Sequence, residues 1–303
     1  MSERILCRVL TGPTASGKSD LAMKLAAENG WSILCMDSMQ VYRRMNIGTD
    51  KPTLIDQQKV PHYLLDIREP TESFSVSEYI KESEKIIRQL KQGILFVGGT
   101  GLYLQAMMHP MGMGFVPADE ELRNELNRLA EQPEGRKSLH DWLARIDPET
   151  AARLPVNDVR RIIRAIEVTE ITGIPFSRQP ERMIESPCEW RVVSTRLDRS
   201  LLYERINNRV DCMIDAGLSE EVEGLLMEGV PENAQSMQAL GYKEMIDCIR
   251  GRMGKKETVE RIKTGTRHYA KRQMTFLRRE PTVNYVDVMK KDAYDRIRKL
   301  LGK

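Results

Sequence analysis

The residues best equipped for chemistry stand near the amino terminus: Gly12, Pro13, Thr14, Ala15, Ser16, Gly17, Lys18 and Ser19, a match to G-x-x-x-x-G-K-[ST]. Glycines at that spacing let the backbone wind closely enough to turn successive N–H groups toward phosphate oxygens. A helix that starts where the motif ends adds the positive end of its dipole. Lys18 is placed to reach the outer phosphate, and the Ser19 hydroxyl to ligate a Mg²⁺ held between phosphates. The motif defines a phosphate grip without saying what carries the phosphate.

Asp37, first of the run Asp37-Ser38-Met39-Gln40, follows the apolar segment Ser32 to Met36. Loops at the carboxyl ends of strands in an open parallel sheet share one crevice, so Asp37 should open beside the phosphate loop; a surface turn is the alternative. A third strand end carries Gly98-Gly99-Thr100-Gly101 where nucleotide-hydrolysing proteins of this architecture have an acidic residue for Mg²⁺ and water. That absence speaks against an ordinary ATPase or GTPase. Thr100 can form one hydrogen bond in the crevice, cap the following helix, or both. Cations recur one helical turn apart, as Arg160 with Arg164, Arg205 with Arg209, and Lys263 with Arg267 and Lys271. Such pairs suit phosphate, and equally a solvated or glutamate-paired helix face.

The elements that must position these groups read as an alternating α/β chain. Ile5 to Leu10, Ser32 to Met36, Pro61 to Ile67, Gly93 to Val97 and Trp190 to Leu197 are apolar runs of strand length. Asp20 to Ala27, Ser75 to Leu90 (capped by Ser75 or Ser77) and Leu102 to Met108 are helical between them, and Val41 to Pro52 is an ordered loop. From Pro117 the texture changes to charged amphipathic helices at Asp119–Ala130, Ser138–Ile146 and Asp158–Thr172, the last with Asn157 as its N-cap. Their joints carry Pro133, Gly135, Pro148, Pro155 and Gly173. The expectation is a P-loop-type parallel sheet flanked by helices, formed from residues 1–116 and 188–303, with residues 117–187 as an inserted all-helical domain. Later helices are expected at Ser200–Ala216 with Gly217 as its C-cap, Ser219–Met227 and Tyr242–Ile249. The stretch from Lys263 to Arg279 holds six cations and no acid, a candidate track for a nucleic-acid backbone or a solvated basic helix. Residues 287–303 read as a charged helical tail.

Composition bounds the alternatives. With 303 residues, 41% hydrophobic and 30% charged, the chain has the balance of a soluble globular protein. Met1 to Arg4 lead straight into a strand, so no signal peptide is expected, and no apolar run approaches a membrane span. Five scattered cysteines without a C-x-x-C pair suggest buried thiols in a reducing cytoplasm rather than zinc or disulfides. A net charge of +3 is too small to argue for a nucleic-acid partner by itself.

Taken in order, these segments resemble the tRNA dimethylallyltransferases, the bacterial tRNA isopentenyltransferase family. The resemblance rests on GPTASGKS at 12–19, DSMQVYRRMNIGTDKP at 37–52, PHYLLDI at 61–67 and VGGTGLYLQA at 97–106. It continues through NDVRRIIRAIEV at 157–168, LYERINNRVDCMI at 202–214, QALGYKE at 238–244 and TRHYAKRQMTFLRR at 266–279. Ser19 stands where many members have threonine, Met39 falls at a variable position, and the C-terminal zinc finger of eukaryotic members is missing.

The resemblance implies transfer of a dimethylallyl group from dimethylallyl diphosphate to the exocyclic amine of the adenosine on the 3′ side of a tRNA anticodon. It implies a cytoplasmic enzyme, expected to be a monomer, that uses Mg²⁺ through Ser19. Lys18, Thr100 and Arg209 would serve catalysis beside Asp37, the candidate general base for a poorly nucleophilic amine. The implied tRNA contacts are Asp37, Ser38, Met39, Gln40, Thr100, Arg123, Arg160, Arg161, Ile162, Ile163 and Arg164, with Arg267, Lys271 and Arg272 added from the basic helix. The competing readings are an adenylate isopentenyltransferase acting on free AMP or ADP, a P-loop small-molecule kinase, and an RNA-binding protein with a vestigial loop.

Overall fold

A computed structural model describes residues 4–109, 116, 118–179 and 188–302. Six strands form one parallel sheet: β1 (Ile5–Thr11), β2 (Ser32–Cys35), β3 (His62–Tyr63), β4 (Ile94–Gly98), β5 (Cys188–Arg196) and β6 (Val283–Asp287). Their order is β3-β2-β4-β1-β5-β6, so the chain begins in the middle of the sheet. Leu10 pairs with Val97 on one side and with Val193 on the other. A parallel strand covered on both faces needs apolar side chains at successive positions. Accordingly Val9, Leu34, Phe96 and Val192 enter one core, and their neighbours Leu10, Ile33, Leu95 and Val193 enter the core on the opposite face.

Helices α1 (Lys18–Asn29), α2 (Leu54–Lys59) and α3 (Val76–Leu90) connect the first four strands, and α4 (Gly101–Met108) follows β4. Ser75 caps α3, its hydroxyl and the Glu78 carboxylate each accepting a backbone N–H of the other. The segment expected as a strand from Pro61 to Ile67 stops after Tyr63, because Leu64 and Asp66 take left-handed backbone angles (φ 65° and 53°) that no strand accommodates.

Residues 109–185 form a separate compact unit. Its helices are α5 (Glu120–Glu131), α6 (Gly135–Ile146), α7 (Pro148–Arg153) and α8 (Val159–Thr172). Pro148, read from sequence as a joint, is the first residue of α7: Asp147 caps that helix, and proline at this position loses no hydrogen bond. Asp158 rather than Asn157 is the N-cap of α8, and its carboxylate turns to Arg161 instead of the helix N–H groups. Leu126, Leu139, Leu143, Ile162, Ile163 and Ile166 make the core of this unit. Expectations that fall on residues 117 and 180–187 lie outside the described residues.

After β5 the first unit continues through α9 (Arg199–Asp215), α10 (Leu218–Met227), α11 (Tyr242–Ile249), α12 (Lys255–Leu277), β6 and α13 (Ala293–Leu301). Ala216 ends α9, and Gly217, with φ 96°, opens α10 instead of closing the preceding helix. The expected charged tail is an integral part of the sheet. β6 pairs with β5, and Ile297 and Leu301 of α13 are fully buried in the core that Leu10 enters. Each such aliphatic side chain stabilises the fold by about 2 kcal/mol.

Candidate active site

The phosphate loop leaves β1 at Thr11 and enters α1 at Lys18. Its curvature needs left-handed backbone at Ala15 and Gly17 (φ 61° and 80°), and Gly12 is held there as well, at φ 143°. A side chain at Gly12 would also collide with Thr195 of β5, since its Cβ would lie 2.0 Å from Oγ1. Thr195 uses that closeness: its hydroxyl hydrogen-bonds the Ser16 hydroxyl at 2.6 Å and donates to Thr11 O at 3.3 Å.

Gln273 of α12 fastens the other side. Its Oε1 accepts from Thr14 N at 2.9 Å and its Nε2 donates to Gly99 O at 3.0 Å, so a buried amide joins the phosphate loop to the turn after β4. That turn has glycine at 99 because a Cβ there would sit 2.0 Å from Gln273 Nε2. Where hydrolytic proteins of this architecture place an acid, this sheet packs a helix side chain.

Asp37 follows β2 on the same side. The loop beyond it is held by Met39 N donating to Asp37 Oδ1 at 2.8 Å and Ser38 N donating to Thr100 Oγ1 at 3.2 Å. Thr100 therefore anchors the Asp37 turn, accepting a hydrogen bond in the crevice, one of the two roles expected of its hydroxyl. Tyr269 of α12 lies beside Thr100 and Gln273, its phenol pushed above the ordinary range by burial and by the Asp37 charge.

Lys18 faces the same space. Burial, helped by Arg209, pulls its ammonium down to about 8, while Asp37 and Asp50 act in the opposite direction. Arg209 of α9 donates to Thr14 Oγ1 at 3.0 Å and lies 3.3 Å from the Asp50 carboxylate. The structure thus gathers Asp37, Thr100, Lys18, Arg209 and the 12–19 loop, together with Asp50, Thr195, Tyr269 and Gln273, which sequence reasoning did not single out. Asp50, Tyr269 and Gln273 stand inside the 37–52 and 266–279 motifs; Thr195 carried no signal.

Other expected contacts are already engaged. Gln40 accepts from Cys35 Sγ at 3.0 Å and donates to Thr49 O and Asp50 O, so its amide secures the 37–52 loop. Glu221 of α10 holds the same loop through Asn46 N, Ile47 N and Gly48 N. On α12, Lys263 pairs with Asp211 at 2.7 Å and Arg267 donates to Asn207 at 2.7 Å, leaving Lys271 and Arg272 as the exposed cations of that set.

In the helical unit, Ile162 and Ile163 are buried in the core, which removes their side chains from any RNA surface. They belong to the apolar side of an amphipathic helix whose polar side carries the arginines. Arg123 and Arg164 both grip Glu167, at 2.8 Å and 2.6 Å, and this fully buried carboxylate also accepts from Asp119 N. Burial alone would raise Glu167; the two guanidiniums and that N–H outweigh it and hold the carboxyl below its ordinary value. Arg160 and Arg161 remain exposed.

A parallel sheet with a phosphate loop after its central strand, a carboxylate at the adjacent strand end and no hydrolytic acid defines a P-loop protein of the group-transfer kind. The family model described as IPP transferase matches residues 40–280, and the chain belongs to that family. A tRNA dimethylallyltransferase of Natranaerobius thermophilus is 42% identical over 288 residues, covering 93% of this chain and 86% of that protein. The tRNA dimethylallyltransferase 1 of Trichlorobacter lovleyi is 44% identical over 291 residues, 94% of each chain. Among solved structures, the tRNA isopentenylpyrophosphate transferase of Bacillus halodurans superposes with a TM-score of 0.69 at 37% identity, covering 98% of this chain and 97% of its own.

Proposed function

We propose that this chain transfers the dimethylallyl group of dimethylallyl diphosphate to N6 of the adenosine next to the anticodon in tRNA. The observation that carries the reading is that hydrogen bonds tie the Asp37 turn to Thr100 and, through Gln273, the neighbouring Gly99 to Thr14 of the phosphate loop, so carboxylate and phosphate grip open on one crevice. Dimethylallyl diphosphate has a diphosphate and no nucleoside, so a phosphate loop can hold it without a base pocket. The adenine amine attacks the allylic carbon, forming the C–N bond while the C–O bond breaks and its electron pair leaves with the diphosphate. Asp37 takes the N6 proton. Lys18 and Arg209 balance charge gathering on the leaving group.

The Ser19 hydroxyl is exposed at the start of α1 and offers a single hard oxygen. Such a site suits Mg²⁺, which keeps waters and phosphate oxygens as its other ligands. When bound, it would neutralise part of the diphosphate charge. The adenine must be turned out of the anticodon loop to reach Asp37, which is least costly for a single-stranded base. Exposed Lys271 and Arg272 on α12 and Arg160 and Arg161 on α8 would contact the RNA backbone. Among the described residues no helix is long and apolar enough to cross a membrane. A tRNA substrate fits a monomer working in the cytoplasm.

The test is incubation with dimethylallyl diphosphate and an unmodified anticodon stem-loop, read by mass. Addition of one dimethylallyl group, lost in Asp37→Asn while RNA binding persists, is expected. Prenylation of AMP but not of the stem-loop would favour the adenylate enzyme, and phosphoryl transfer from ATP without prenylation would favour a kinase.

A further inference from the structure

The 46–52 loop is clamped at its backbone and loose at one side chain. Glu221 accepts from three consecutive N–H groups, Asn46 to Gly48. Gln40 donates to Asp50 O at 3.0 Å, and the buried Lys51 ammonium is fixed between Tyr42 O and Asp66 Oδ1, both at 2.6 Å. Between these fastenings the Asp50 side chain is 60% exposed, and its Oδ2 lies 3.3 Å from Arg209 Nη1. Its charge is also felt at Lys18. One exposed anion on a rigid mount therefore acts on both cations of the donor grip.

We propose that Asp50 sets the affinity of the donor site by competing with the diphosphate for Arg209. This rests on the reading that the 12–19 loop holds a diphosphate. A phosphate group, with more charge than a carboxylate and geometry suited to a guanidinium fork, takes Arg209 from Asp50. The displaced carboxylate then stands as a like charge beside the bound anion. That weakens the hold on the donor and on the product alike. It also gives Arg209 a ready partner when the product leaves, which assists release of an otherwise tightly held diphosphate.

Asp50→Asn tests this directly. Asparagine keeps the shape and adopts the left-handed backbone at this position, φ 52°, more readily than alanine. Binding of inorganic pyrophosphate is measured by titration calorimetry without Mg²⁺, on the wild-type chain and on Asp50→Asn. The variant is expected to bind between about twofold and tenfold more tightly, from loss of a partly exposed ion pair and of the like-charge repulsion. The difference should narrow from about 0.05 M to about 0.5 M salt as the screening length shrinks. Equal or weaker binding by Asp50→Asn overturns the proposal. Failure of the wild-type chain to bind pyrophosphate would instead overturn the diphosphate reading beneath it.

Discussion

Gly99 and Gln273 should behave as one energetic unit, and a double-mutant cycle can show it. In Gly99→Ala the new Cβ would lie 2.0 Å from Gln273 Nε2, so the amide must move. It cannot move without breaking the bonds to Thr14 N at 2.9 Å and to Gly99 O at 3.0 Å. Two buried backbone groups then lose their partners at roughly 1–3 kcal/mol each, so the substitution should cost about 2–6 kcal/mol. Gln273→Ala removes the same two bonds and leaves a cavity, a loss of similar size. Because both changes destroy the same hydrogen bonds, the double variant should cost little more than Gln273→Ala alone, giving a coupling close to the whole cost of Gly99→Ala, at least about 2 kcal/mol. Urea unfolding of the four proteins, followed by far-ultraviolet circular dichroism, measures it. Additivity within about 0.5 kcal/mol would refute the bridge.

Two further expectations follow from charges in the first unit. Lys18 titrates at about 8 rather than 10.5, so the unfolded chain binds more protons across that interval and the charged lysine costs stability most fully below it. Lys18→Met should therefore stabilise the ligand-free protein at neutral pH, with the gain shrinking as pH rises from about 8 to about 10.5; a pH-independent difference in unfolding free energy would contradict this. On α12, Lys271→Glu with Arg272→Glu should weaken tRNA binding and flatten its salt dependence by roughly 0.7 to 0.9 for each phosphate no longer neutralised. An unchanged salt slope would take these cations off the RNA path.

Local patterns in the chain are enough to read the phosphate loop, the strand ending at Asp37 and the sheet that aligns them. What escapes depends on partners far along the chain. Gln273 meets Thr14 across 259 positions, and no periodicity announces such a pair. The basic stretch from Lys263 to Arg279 contains no acid, yet Asp211 on the neighbouring α9 neutralises Lys263. Strand β6 is five residues long with exposed Asn284 and Tyr285, too brief and mixed for an alternation signal. Ile162 and Ile163 enter the expected RNA surface only as part of a continuous run, although the helical period already assigns them to a core.

The bond between Ser16 and Thr195 bears on how the protein is made. The phosphate-binding motif leaves the ribosome well ahead of the strand that braces it, since Thr195 lies 179 residues after Ser16. Gln273 follows later still, and β6 and α13 join the sheet only after it. A nascent chain halted after β4 carries the whole signature and none of its bracing. The grip on diphosphate thus depends on residues made long after the motif, and binding activity should emerge only once α12 has been synthesised.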